Sequence, residues 1–340
     1  MAVSTVATAL LVAVAAVLPV PYAISGPGPT RNTLGDEAGV PLITIDGAPT
    51  YDSTGELLLT TVSVAGGPGY PVTTGDVLRG WADGTRAVSP VELVFAPSES
   101  QDDIDQRNQA EMVSSQENAT VAALEELGYT VPTTMTIADV VEGTGAAGVL
   151  EADDVIVAVD GQATTSFSDL TADLDALAPG DTVSMGVERA GERLDLDVVT
   201  TDNGAGGALL GVLIDPTFEL PVDVSIQIEN IGGPSAGTMF ALGIIDRMTP
   251  EDEANGVTIA GTGTMDLSGE VGPIGGIRQK LVGAQRDGAT WFLAPAANCD
   301  EVVGHVPDGL GVLSIATLAE ARAAMEAIGA GTTDGLPTCD

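Results

Sequence analysis

The sequence predicts an α+β chain with two cores behind an apolar N-terminal segment, and three observations carry that expectation. Its 340 residues exceed one average domain. Val222, Val224, Ile226 and Ile228 alternate with Asp223, Ser225 and Gln227, the period of a half-buried strand. Two glycine-rich turns are each followed by apolar residues at helical spacing: Phe240, Ala241, Ile244, Ile245 and Met248 after the first, Ile277, Leu281 and Ala284 after the second.

The first element is the stretch from Val3 to Ile24, almost wholly apolar, with Pro19 and Pro21 near its end and Arg31 as the first charge. About 22 residues can span a bilayer, whereas the apolar part of a signal peptide usually has about 7 to 15. The expectation is a single-pass transmembrane anchor in the cell membrane, with the rest of the chain on the extracytoplasmic side. A cleaved signal peptide is the alternative. Ser25 to Thr30 is rich in Gly and Pro, Leu57 to Val64 reads as a strand, and Gln101 to Leu127, free of Pro and Gly, reads as one long helix or two short ones ended by Gly128.

Composition excludes several functions. The formal charge of −38, from 49 acidic and 11 basic residues, repels nucleic acid phosphates. Lys280 is the one lysine, and its neighbours do not form the Gly-Lys-[Ser/Thr] of a P-loop, so no ATP-driven motor is encoded. One histidine, His305, and two cysteines cannot assemble a His-rich zinc site or a Cys-x-x-Cys pair, and no cofactor or metal is expected. Cys299 and Cys339 fall in the part placed outside the membrane, where a disulfide would tie the tail after the helix Leu318 to Ile328 to the segment after the strand Trp291 to Leu293. Two unpaired buried thiols are the other reading.

Residues 129–201 form a distinct block. A strand over Thr136 to Val141 precedes Gly-Ala-Ala-Gly-Val-Leu, then Asp153-Asp154-Val-Ile-Val-Ala-Val-Asp-Gly161, a helix Phe167 to Leu177 capped by Ser166 with Asp169 in its first turn, and a hairpin over Asp181 to Thr200. This block resembles a bacterial PDZ domain, with Asp153 standing where that family usually has Gly. The resemblance implies binding of extended peptides added as a strand to a sheet edge. Leu127-Gly128-Tyr129 reads either as the peptide-binding loop or as a plain helix end.

The chemistry lies in two later segments. Ile231-Gly-Gly-Pro-Ser235-Ala-Gly-Thr places Ser235 where a loop enters a helix, so unpaired N–H groups and the positive end of the helix dipole can stabilise a developing oxyanion. The plain alternative is a helix cap. Lys280 borders the apolar stripe of Ile277, Leu281 and Ala284. A lysine buried there loses hydration, its pKa falls, and the neutral amine can take a serine proton. A lysine with its head in water is the competing reading. The chain otherwise uses Arg for positive charge, and Arg cannot deprotonate, which favours the first. Glu229, at the strand end before this loop, could bias the site electrostatically.

Gly233-Pro-Ser-Ala-Gly237 and Gly269-Glu-Val-Gly-Pro-Ile-Gly-Gly-Ile-Arg-Gln-Lys-Leu281 resemble the Lon protease proteolytic domain. With the N-terminal segment and the PDZ-like block, the whole is similar to the membrane-anchored, PDZ-containing Lon-like proteases of Gram-positive bacteria. That resemblance implies a Ser235 nucleophile, a Lys280 base, Thr262 orienting the lysine, protein or peptide substrates and a hexameric ring. Thr262 within Gly261-Thr-Gly263 reads equally as a turn residue. The implied division is 1–24 anchor or signal segment, 25–128 first part of the proteolytic domain, 129–201 PDZ domain, 202–330 second part and 331–340 tail. An ATP-independent serine endopeptidase is the leading function. The rivals are a PDZ-centred adaptor with an inert protease half and a hydrolase of small acyl substrates.

Overall fold

The computed structural model describes residues 2–37, 39–96, 99–204, 206–228 and 231–339. Along the chain run α1 (Ala2–Val17), β1 (Tyr22–Asn32), β2 (Glu56–Ala65), α2 (Thr74–Ala82), β3 (Ala87–Pro90), α3 (Gln101–Glu126), β4 (Thr133–Val140), β5 (Val155–Val159), α4 (Phe167–Asp175), β6 (Thr182–Arg189), β7 (Glu192–Val199), β8 (Val212–Phe218), α5 (Gly237–Met248), β9 (Thr258–Gly261), α6 (Ile277–Arg286), β10 (Trp291–Pro295), β11 (Gly311–Ile315) and α7 (Leu318–Ala330). Two compact units result, Met1–Ala123 with Val224–Asp340, and Leu124–Asp223.

The first unit is built on a sheet in the order β11-β10-β9-β2-β1-β3. Pairing is parallel from β11 to β2 and antiparallel from β2 to β3. Leu57 of β2 lies opposite Ile259 of β9, so strands from both sides of residues 124–223 meet in one core. Side chains alternate across a strand. Leu58, Ala260 and Phe292 accordingly pack with Ile277, Leu281 and Ala284 of α6 on one face. Leu57, Leu59, Ile259 and Leu293, all buried, face the other side, where α5 packs on β2 and α7. Every residue of α5 from Gly237 to Asp246 is buried, as befits a helix enclosed on all sides.

The N-terminal expectation needs correction. The stretch from Val3 to Ile24 is not one helix: α1 ends at Val17, and no described helix is long and apolar enough to cross a membrane. Sixteen residues rise about 24 Å, against about 30 Å of hydrocarbon. Pro19 and Pro21 cannot continue the helical hydrogen bonds. Tyr22, Ala23 and Ile24 belong instead to β1, opposite Pro90, Ser89 and Val88 of β3. Ala23 and Ile24 are buried there, so their apolarity serves the sheet. At the other end of the chain Cys299 and Cys339 are disulfide-bonded, which resolves the two readings of these thiols.

The second unit is an antiparallel sheet in the order β7-β6-β5-β4-β8, with α4 packed on it. Its core joins Met135, Ile156, Leu170, Met185 and Val198. Ser166 accepts from the Asp169 N–H while the Asp169 carboxylate accepts from the Ser166 N–H, a reciprocal cap that starts α4. The unit extends beyond the expected 129–201, because β8 pairs along β4 from Val212 opposite Val140 to Phe218 opposite Thr133. Leu127-Gly128-Tyr129 proves to be the end of α3: Gly128 has φ 85°, and the Tyr129 N–H donates to the Leu124 carbonyl at 3.0 Å. Asp154 is fully buried, and the Arg189 guanidinium on its carboxylate holds it below the usual carboxylate range.

Asp153 adopts φ 70°, the left-handed region that a glycine would occupy without a Cβ penalty. Asp153→Gly is therefore expected to stabilise the unit by about 0.5–1 kcal/mol, after allowing for the greater entropy that Gly loses on folding. Thermal unfolding of the two forms measures it, and an unchanged or lowered midpoint would contradict this account of the turn.

Candidate functional site

Ser235 lies in the loop that enters α5; two groups of α3 hold that loop and a third holds the segment after β9. The Gly233 N–H donates to the Asn108 carbonyl at 3.0 Å. Ser115 Oγ donates to the Pro234 carbonyl at 3.0 Å, and Asn118 Nδ2 donates to the Met265 carbonyl at 3.0 Å. None of these three residues is singled out by the sequence, because isolated polar residues on a helix carry no spacing signal. The helix α5 that follows directs its positive dipole end toward the Ser235 turn, and its first N–H groups are already bonded, Thr238 to the Gly263 carbonyl at 3.2 Å and Met239 to the Ala236 carbonyl at 3.0 Å.

Thr262 follows β9, fully buried, with its N–H donating to the Leu293 carbonyl at 3.2 Å. Its Oγ1 donates to the Ser235 carbonyl at 2.8 Å, and the Gly263 N–H reaches the same carbonyl at 3.0 Å. A Cβ at Gly263 would stand 2.3 Å from Thr238 Oγ1, so glycine is needed for α5 to approach this closely. Of the two readings of Thr262, the geometry favours more than a turn residue, since its side chain ties two segments together.

Lys280, on α6, completes the cluster. Its Nζ lies 2.7 Å from Ser235 Oγ and 2.8 Å from Thr262 Oγ1. The side chain is 2% exposed, and among the described residues no carboxylate pairs with it. Burial alone lowers its pKa from 10.5 to about 7. The proton arrangement follows from the donor inventory. Thr262 spends its hydroxyl proton on the Ser235 carbonyl, so its oxygen accepts from Lys280. The neutral amine keeps a lone pair, and Ser235 Oγ lies within reach of it.

Ser235 and Lys280 open into a cleft of about 770 Å³ bordered by β2 from Thr60 to Val64, by α3 and by Pro273 to Gly275. His305 is exposed elsewhere, with its Nδ1 against the Val303 carbonyl at 3.0 Å, and takes no part. Glu229 lies outside the described residues. Among those described, no group of three or more His, Cys, Asp and Glu is placed to hold a metal ion.

The second unit has a groove of its own. β8 ends the sheet, and a cavity of about 410 Å³ runs beside it, lined by Thr171 and Leu174 of α4, Val141 and the segment Ala208 to Ile214. Gly211 has φ 82° at the turn into β8. The turn Leu209-Leu210-Gly211-Val212 lies beyond residues 129–201.

Comparison with known proteins matches residues 225–325 to the Lon protease (S16) C-terminal proteolytic domain and residues 109–200 to a PDZ domain. The Lon protease 1 of Sorangium cellulosum is 37% identical over 124 residues, 35% of this chain and 15% of that protein. The Lon protease of Aquifex aeolicus is 33% identical over 99 residues, 28% of this chain and 12% of that protein. The matched stretch is thus a small part of those relatives' length. Among solved structures, the PDZ domain of the SdrC-like protein Lin2157 from Listeria innocua is 26% identical, covering 24% of this chain and 92% of that one, with a TM-score of 0.23.

Proposed function

We propose that this chain, which carries a Lon-type serine-peptidase domain and a PDZ domain, is an ATP-independent endopeptidase that cleaves protein substrates with a Ser235–Lys280 dyad. The observation that carries this reading is the Lys280 amine, buried without a counter-charge 2.7 Å from Ser235 Oγ. Neutral Lys280 takes the Ser235 proton as Oγ attacks the scissile carbonyl. The positive dipole end of α5, at the Ser235 turn, stabilises the oxyanion. The lysine, now protonated, gives its proton to the departing amine; neutral again, Lys280 takes a proton from a water molecule that attacks the acyl carbon, and returns that proton to Ser235 Oγ as the acyl group leaves. Thr262 fixes the amine between itself and Ser235. The open rim of the cleft, with exposed Ser63 and Val64, suits an extended chain better than a small acyl substrate does.

Two further parts belong to this reading. The groove between β8 and α4 binds an extended peptide as an added strand, because β8 is an edge strand with an apolar wall opposite it. The chain works outside the cytoplasm at a membrane. The Cys299–Cys339 disulfide supports the oxidising compartment, and α1, uncharged and exposing Val6, Leu10, Leu11, Val14 and Val17, supports lipid contact.

Hydrolysis of an unstructured protein tests the peptidase reading. Activity is expected to be lost in Ser235→Ala and equally in Lys280→Arg, since a guanidinium stays protonated. With a folded-state lysine pKa of about 7, the neutral and competent form grows as pH rises through 7, so activity should climb with a midpoint there. Near-normal activity in Lys280→Arg would sink the dyad. For the groove, Leu213→Glu should abolish capture of peptides by the PDZ domain, and undiminished capture would place binding elsewhere. For the membrane, the chain should co-float with neutral phospholipid vesicles at high salt, and a chain without residues 1–18 should not; equal flotation of both would remove the role of α1.

A further inference from the structure

One side chain holds both main-chain polar groups of a residue in the cleft wall. Asn298 Oδ1 accepts from the Ile274 N–H at 2.9 Å, and Asn298 Nδ2 donates to the Ile274 carbonyl at 3.0 Å. The amide is 3% exposed and donates also to Glu301 Oε1 at 3.2 Å. The Ile274 side chain packs in the layer of Ile277, Leu281 and Phe292. Its neighbours behave differently: Pro273 and Gly275 are exposed and border the cleft with Ser235 and Lys280. A Cβ placed on Gly275 would meet no atom within 4 Å.

Asn298 takes up both main-chain polar groups of Ile274, whereas among the described residues no hydrogen bond engages the Pro273 carbonyl or the Gly275 N–H, which leaves both to a substrate in the cleft. We propose that Asn298 is a positioning residue: by bracketing Ile274 it fixes the Pro273–Gly275 main chain as a strip along which an extended peptide substrate is aligned beside Ser235. This rests on the peptidase reading. The bracket is itself anchored, since Asn298 precedes Cys299, which is tied to Cys339. The amide is needed for the task. A carboxylate at 298 has no donor for the Ile274 carbonyl, and a leucine has neither donor nor acceptor.

The test is steady-state hydrolysis of an unstructured fluorogenic peptide by the full chain, Asn298→Asp and Gly275→Ala, across the pH range that titrates Lys280. Asn298→Asp loosens the strip, and Gly275→Ala puts a methyl group on its cleft side. Each is expected to raise KM about tenfold, the size of one lost hydrogen bond, with kcat within about twofold and its pH midpoint unmoved. Unchanged KM in both variants overturns the proposal. So does a folded Asn298→Asp whose kcat falls and whose pH midpoint shifts, because the residue then acts on Lys280 and not on the strip. If Asn298→Asp does not fold, Gly275→Ala alone decides. A wild-type chain without Ser235-dependent hydrolysis overturns the peptidase reading and this inference together, whereas an active wild type with unaltered variants overturns this inference alone.

Discussion

A lysine amine that has lost its water and gained no counter-charge is costly to keep protonated, and the site is organised around that cost. Among the described residues the Lys280 amine bonds only to hydroxyl groups, Ser235 Oγ and Thr262 Oγ1. A carboxylate beside it would hold the charge in place and remove the lone pair. The chain carries 49 acidic residues, yet among the described residues none pairs with this amine. The apolar stripe of α6 excludes water on one side, and the close contact of α5 with Gly263 seals the other.

The rest of the first unit holds three separate segments to that point. β9 delivers Thr262, α6 delivers Lys280, and the loop before α5 delivers Ser235, pinned by Ser115 and the Asn108 carbonyl. None of these segments would be in register without β1 and β2, which come from the other side of residues 124–223 and fill the sheet between β9 and β3. The same sheet explains the N-terminus. Tyr22 to Ile24 are apolar because β1 is central, and a sequence window cannot tell that burial from burial in lipid.

Ser235, Thr262 and Lys280 were legible in the sequence for different reasons. Lys280 stood out through composition, as the one lysine in a chain that otherwise uses Arg. Ser235 is marked by a glycine-rich loop ahead of an apolar helix, and Thr262 only by the resemblance to the Lon proteolytic domain, its place between two glycines reading equally as a turn. Asn298 and Ser115 were not legible, because each acts on a main-chain group that only the fold brings near. The edge strand β8 escaped too: its Val212-Leu-Ile-Asp-Pro-Thr-Phe218 run is separated from the rest of its sheet by a glycine-rich turn, and contains a proline. An edge position tolerates that proline where a central strand would not.

The account depends most directly on the charge state of Lys280, which can be read without any substrate. Titration of the lysine side-chain resonance by NMR is simple in a chain with one lysine. An apparent pKa of about 7 is expected. A value near the ordinary 10.5 would mean a charged amine at neutral pH and would contradict the account.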